Sequence, residues 1–141
     1  MGGGLMAVVG LEHVNLRVPD PSASLAFFRD ILQMQVVPPP GRTSTEQSGW
    51  VLDRNRVAVI HVAGTFARYE PGETLPAPTM TGSGAIHHIA LTCEDYAQVR
   101  DRLAQAGLEF REAEVPQISL RQIFVAQVDG VLFELNFREA R

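Results

Sequence analysis

The chain has little of several things that mark out other protein classes. A single cysteine, Cys93, excludes an intramolecular disulfide. No apolar run approaches the roughly 18 residues a helix needs to cross a bilayer, so no membrane role is expected. Positive charge is in deficit: 12 arginines, with no lysine, stand against 16 acidic residues, for a net charge of −4. The basic residues are scattered without a run, which argues against a polyanion-binding surface and a nucleic-acid partner. The first residues lack the charged head and apolar stretch of a secretory signal, so the expected location is cytoplasmic. Residues 1–5, with Gly2-Gly3-Gly4, read as a flexible start.

What the chain does have is apolar content in regular patterns. At 141 residues and 45% hydrophobic, it can bury a genuine core as one compact domain or as two halves sharing a sheet. Residues 10–18 alternate, with Val14, Leu16 and Val18 opposite His13, Asn15 and Arg17, which predicts a strand with one apolar face. Asp20 is placed to cap a helix with Pro21 at its first position, and Leu25, Phe28, Ile31 and Leu32 give it a helical stripe of about ten residues. Val36-Val37 begins a short strand, and Gly49 to Asp53 and Val57 to Val62 read as a hairpin around Asp53-Arg54-Asn55-Arg56. The same order then recurs. Residues 86–93 form a strand, Asp95 caps a helix ended by Gly107, and 109–115, 120–128 and 131–137 are strands, with Asp129-Gly130 as the last turn. Between the halves, residues 64–84 are rich in glycine and proline without a period, and read as a linker long enough to act as a lid. The expected organisation is α+β: two tandem β-α-β-β-β modules, 9–63 and 85–138, forming a curled, cup-like mixed sheet with the helices outside.

The doubled pattern carries potential metal ligands at equivalent places. His13 opens the first copy and His88 the second; His61 closes the first and Glu134 the second. By alternation each lies on the strand face away from its helix, so all four point to the inner face of the sheet. A lone histidine on a strand is more often structural; the equivalence is what argues for ligation. Glu134 sits in an apolar strand, Leu132-Phe133-Glu134-Leu135, where an unpaired carboxylate is costly and calls for a cation or hydrogen bonds. Imidazole nitrogen and carboxylate oxygen suit Zn, Mn, Fe, Co or Ni, and a catalytic site leaves positions open for water or substrate. By the same parity His87 points toward the helix layer and reads as structural. Asn15, Arg17, Arg121 and Asn136 fall on the inner face or its rim and are candidate substrate contacts, with Trp50 as a candidate pocket wall.

With "LEHVNLRVPDPSASLAFFRDIL", "IHHIALTCEDYAQVRDRLAQAGLEF" and the ending "VDGVLFELNF", the chain resembles the vicinal oxygen chelate superfamily over about residues 9–138. That group includes glyoxalase I, extradiol dioxygenases, methylmalonyl-CoA epimerase, and fosfomycin and bleomycin resistance proteins. The resemblance implies paired modules closing a cup, frequent homodimers, and metal ligands at His13, His61, His88 and Glu134. Departures are visible too. Glyoxalase I usually has a carboxylate where His61 stands, and extradiol enzymes need a further histidine and a tyrosine where Phe124 stands. Bleomycin-binding relatives lack the ligands altogether. The usual Asp-Pro-Asp-Gly turn is Gln127-Val128-Asp129-Gly130 here, a change expected to affect the hairpin. The function expected is a divalent-metal-dependent lyase or isomerase that binds a small substrate through vicinal oxygens, with His61 and Glu134 as catalytic groups. An Fe(II) ring-cleaving dioxygenase is the alternative, and a non-catalytic small-molecule or antibiotic-binding resistance protein a third.

Overall fold

The structure is a computed structural model, and it describes residue 7, residues 9–67 and residues 82–138. Among them the elements run β1 (Val14–Val18), α1 (Pro21–Ala26), β2 (Gln35–Val37), β3 (Ser48–Leu52), β4 (Ala58–Gly64), β5 (Ile89–Cys93), α2 (Tyr96–Gln105), β6 (Arg111–Val115), β7 (Leu120–Ala126) and β8 (Leu132–Phe137). The strands form two four-stranded sheets of the same topology, ordered β1-β4-β3-β2 and β5-β8-β7-β6. In each sheet the first strand runs parallel to the last, and the other pairings are antiparallel. The doubled sequence is therefore a doubled β-α-β-β-β topology, and the α+β class expected of it holds. The expected flexible start and most of the 64–84 linker lie outside the described residues. No described helix is long and apolar enough to cross a membrane.

Local chemistry explains the boundaries. Asp20 accepts a hydrogen bond from the Ala23 amide at 3.2 Å, with Pro21 at the first helical position. Asp95 caps α2 through the Gln98 amide at 3.3 Å. Gly107, at φ +70°, takes the left-handed turn that ends α2, where the Leu108 amide reaches back to the Leu103 carbonyl. In the β3–β4 hairpin, Asp53 Oδ1 accepts from the Asn55 and Val57 amides.

Three details depart from expectation. The first helix is not regular to Leu32: α1 stops at Ala26, and Phe27–Ile31 form one π turn in which the Leu32 amide bonds the Phe27 carbonyl. The wider turn lets the adjacent Phe27 and Phe28 both reach the interior, at 6% and 0% exposure. The strands β1 and β5 start later than the alternation suggested, because their parallel ladders begin at Val14 opposite Ile60 and Ile89 opposite Phe133. His13, His87 and His88 thus sit just before their strands. Finally, Gln127 does more than turn the hairpin. Its Oε1 accepts from the Asp129 and Val131 amides, while its Nε2 donates to Asp129 and to the buried Ser24 Oγ at 3.2 Å.

That last bond crosses between the modules, and the apolar core does the same. One continuous cluster joins Leu16, Val51, Ile60 and Val62 of the first sheet to Ile123, Val125, Phe133 and Leu135 of the second, through Leu25, Phe28, Val99 and Leu103. The Phe133 ring meets Phe28 edge-on at 5.4 Å and Phe27 at 6.1 Å. Burying such a ring contributes roughly 1.5–3 kcal/mol. Each sheet turns its apolar side to this shared core. On the ligand side Asn15, Ala90 and Thr92 are exposed, whereas Ala63 and Asn136 are buried.

Candidate metal and substrate site

Strand register confirms that the two candidate pairs are structural equivalents. Asn15 pairs with His61 and Ala90 with Glu134, and His13 and His88 each lie two residues before that pairing. Each sheet therefore presents one early histidine and one late donor on the same face.

On the first sheet, Trp50 and His61 are cross-strand partners whose rings stack at 4.2 Å and 6°. His13 covers the other side of His61, at 3.7 Å and 14°. The result is a three-ring stack with His61 in the middle. Burial and the neighbouring His13 both push the His61 imidazole below its ordinary pKa, burial being the larger cause. His13 is also bonded through Nδ1 to Glu12 Oε1 at 2.9 Å. Ring-nitrogen lone pairs lie in the ring plane, so two nearly parallel imidazoles cannot both aim at one ion unless a ring turns. Beside them, Arg17 donates to Asn15 Oδ1 at 2.9 Å and to the Ala67 carbonyl.

On the second sheet, His88 Nε2 faces Glu134 Oε1 at 3.8 Å. The Glu134 side chain is 17% exposed, and its other oxygen, Oε2, accepts from Asn136 Nδ2 at 2.9 Å. Asn136 Oδ1 in turn accepts from Gln122 Nε2 at 3.1 Å. Phe124 lies directly across from Glu134. His87 does not enter the helix layer as its parity suggested. It precedes the paired part of β5, is exposed, and meets His88 Nδ1 to Nδ1 at 2.9 Å.

The structure thus brings His13 to His61 and His88 to Glu134, with Trp50 and Asn136 beside them. Among the described residues, no three His, Cys, Asp or Glu side chains meet in a metal-holding group. Ligands at about 2.1 Å from one ion lie roughly 3–3.4 Å apart, so the His88–Glu134 pair fits two adjacent ligand positions after slight closure. A full set needs a third donor from outside that pair. Arg121 is the misplaced candidate. It lies on the core side of β7 with Ile123 and Val125, its guanidinium 3.4 Å over the Tyr96 ring. Its neighbour Gln122, passed over in the sequence, occupies the ligand face instead. Alternation offers the signal, since Gln122 has the same parity as Phe124, which pairs with Glu134.

A doubled β-α-β-β-β chain carrying imidazole and carboxylate donors at equivalent strand positions defines a recognisable class, in which one fold serves several chemistries. The chain belongs to the Glyoxalase/Bleomycin resistance protein/Dioxygenase superfamily, whose family model matches residues 10–135. Among solved structures, a glyoxalase/dioxygenase from Nostoc punctiforme is similar at TM-score 0.69 and 16% identity, over 99% of each chain. Lactoylglutathione lyase from Agrobacterium tumefaciens is similar at TM-score 0.66 and 14% identity, over 94% of this chain and 96% of its own. A variant of the fosfomycin resistance protein FosX from Listeria monocytogenes, complexed with Mn(II) and dihydroxypropylphosphonic acid, gives TM-score 0.62 and 22% identity over 94% of each. At these identities the likeness is one of fold. No curated protein sequence matches the chain significantly.

Proposed function

We propose that this chain is a divalent-metal-dependent enzyme of lyase or isomerase type that acts in the cytoplasm on a small substrate bound through two neighbouring oxygens. Its working form is a homodimer in which His13 of one copy meets His88 and Glu134 of the other. The observation that carries this reading is the equivalence of the two donor pairs, each on the sheet face turned away from the shared core. A two-fold dimer joins such faces twice over, one site per copy. The dihydroxy ligand of the Mn(II)-bound Listeria protein supports the substrate class, since it offers vicinal oxygens. Zn, Mn, Ni, Co and Fe all suit two imidazoles and a carboxylate.

When bound, the metal supplies a Lewis acid that stabilises an oxyanion on the substrate. The rest falls to the chain. His61, stacked between Trp50 and His13, cannot share an ion with His13 as placed, so its role is proton carriage. Its lowered pKa keeps the ring neutral near pH 7, ready to take a proton at a ring nitrogen from a carbon next to the bound carbonyl. Trp50 fixes the plane of that ring and walls the pocket. Asn15 and Arg17, bonded to each other, form a polar rim for the substrate on the same face.

Ring-cleaving oxygenation with Fe(II) is the second reading, favoured by the two-histidine, one-glutamate set. Phe124 opposite Glu134 counts against it, because the ring has no hydroxyl to take part in proton transfer. Anaerobic metal analysis of the purified protein tests both. Stoichiometric Ni, Zn, Co or Mn without oxygen consumption supports proton-transfer chemistry, whereas Fe(II) with oxygen uptake on catechols supports the second reading. No bound metal, with no change in His13→Ala or Glu134→Ala, refutes both and leaves a binding protein.

A further inference from the structure

The second module contains a hydrogen-bond chain that the first module lacks. Gln122 and Asn136 are cross-strand partners, and Asn136 and Glu134 lie two apart on the same face of β8. At the equivalent places of the first sheet stand Ser48 and Ala63, also cross-strand partners, with no amide at either. The amides appear only where the late donor is a carboxylate. His61, the other late donor, is held by ring stacking instead.

We propose that Gln122 and Asn136 are positioning residues that fix the Glu134 carboxylate through a one-way hydrogen-bond relay. The direction follows from the donor inventory. An ionised carboxylate only accepts, so Asn136 must turn its NH2 to Glu134 Oε2 and its carbonyl oxygen away. That oxygen needs a donor, and Gln122 Nε2 supplies it. Asn136 is 9% exposed, so water is a poor substitute at either bond. With Oε2 held, Oε1 is the oxygen turned to His88. Partners behind a ligand carboxylate typically govern metal affinity by 10–100-fold.

Gln122→Glu reverses the relay's polarity. A glutamate cannot donate to Asn136, so the asparagine amide flips and presents its oxygen to Glu134. Gln122→Met removes the donor without forcing the flip. The test combines 15N–1H spectra of the metal-free proteins with Zn(II) and Mn(II) titrations of the same samples. Wild-type Asn136 should show slowly exchanging side-chain amide protons, one of them shifted downfield. In Gln122→Glu the flipped amide donates to the new carboxylate instead of Glu134, so its resonance moves, and metal binding weakens by about tenfold, with a smaller loss in Gln122→Met. An Asn136 amide in the wild type that exchanges like an exposed one overturns the relay. So does a Gln122→Glu protein whose Asn136 amide resonance has moved yet which binds metal as the wild type does. The metal arm rests on the enzymatic reading; the metal-free spectrum does not. A wild type that keeps the amide signature but binds neither ion upholds the relay and sinks the metal site.

Discussion

Replacing Phe133 by alanine probes whether the two modules act as one folding unit. The ring belongs to β8 of the second module, is fully buried, and packs on Phe27 and Phe28 of the first. A buried Phe→Ala change costs about 3–5 kcal/mol in transfer and cavity terms. Against a typical total of about 5–15 kcal/mol, that is a large share. With a urea m-value of about 2 kcal/mol/M, the midpoint should fall by roughly 1.5–2.5 M. The chain has a single tryptophan, Trp50, and it lies in β3 of the first module. Its fluorescence therefore reports the module that was not mutated. A shared core predicts that the Trp50 transition and the far-UV circular dichroism transition shift together by the full amount. If the Trp50 midpoint stays in place while the dichroism splits into two steps, the modules fold independently and the reasoning fails.

Other outcomes follow from single side chains. Gln127→Leu strands the Ser24 hydroxyl and the turn amides, and should cost about 1–3 kcal/mol by urea unfolding. Adding Ser24→Ala should recover part of that loss. Gly49→Ala puts a Cβ at 2.7 Å from Leu25 Cδ1, and the overpacking should cost about 1–3 kcal/mol, read from the same curves. Burial pushes the Cys93 thiol up to about 11 from 9.0, so it should react slowly with a thiol reagent at pH 8 and quickly once unfolded. The sign for stability follows as well. Between pH 9 and 11 the unfolded thiol has lost a proton that the folded one retains, so stability falls as pH rises through that window, and Cys93→Ala should flatten the fall.

Much of this was legible in the residues because alternation and capping are local. Asp20, Asp95, Gly107 and Asp129-Gly130 set their boundaries by short-range chemistry that a sequence displays directly. Parity put His61 and Glu134 on the ladder face turned from the core, and His13 and His88, just before their strands, meet them there. It failed where a residue lay outside a paired ladder, as with His87, or where a residue of the opposite parity was chosen, as with Arg121. The π turn at Phe27 was hidden because two adjacent aromatics competing for one core leave no periodic mark. How the two ligand faces sit relative to each other depends on long-range packing of Phe27, Phe28 and Phe133, which no local pattern encodes. That packing leaves the donors in two pairs rather than one group of four.

The most direct test of the central claim is complementation between two dead variants. His13→Ala and Glu134→Ala are each prepared metal-free, then mixed under conditions that exchange subunits, and bound Zn(II) or Mn(II) is measured. If each site draws His13 from one copy and Glu134 from the other, a mixed dimer regains one intact site, and metal binding reappears on mixing. If both residues serve a site within a single chain, every site in the mixture stays broken. Binding that returns only on mixing supports the shared site, and binding that never returns contradicts it.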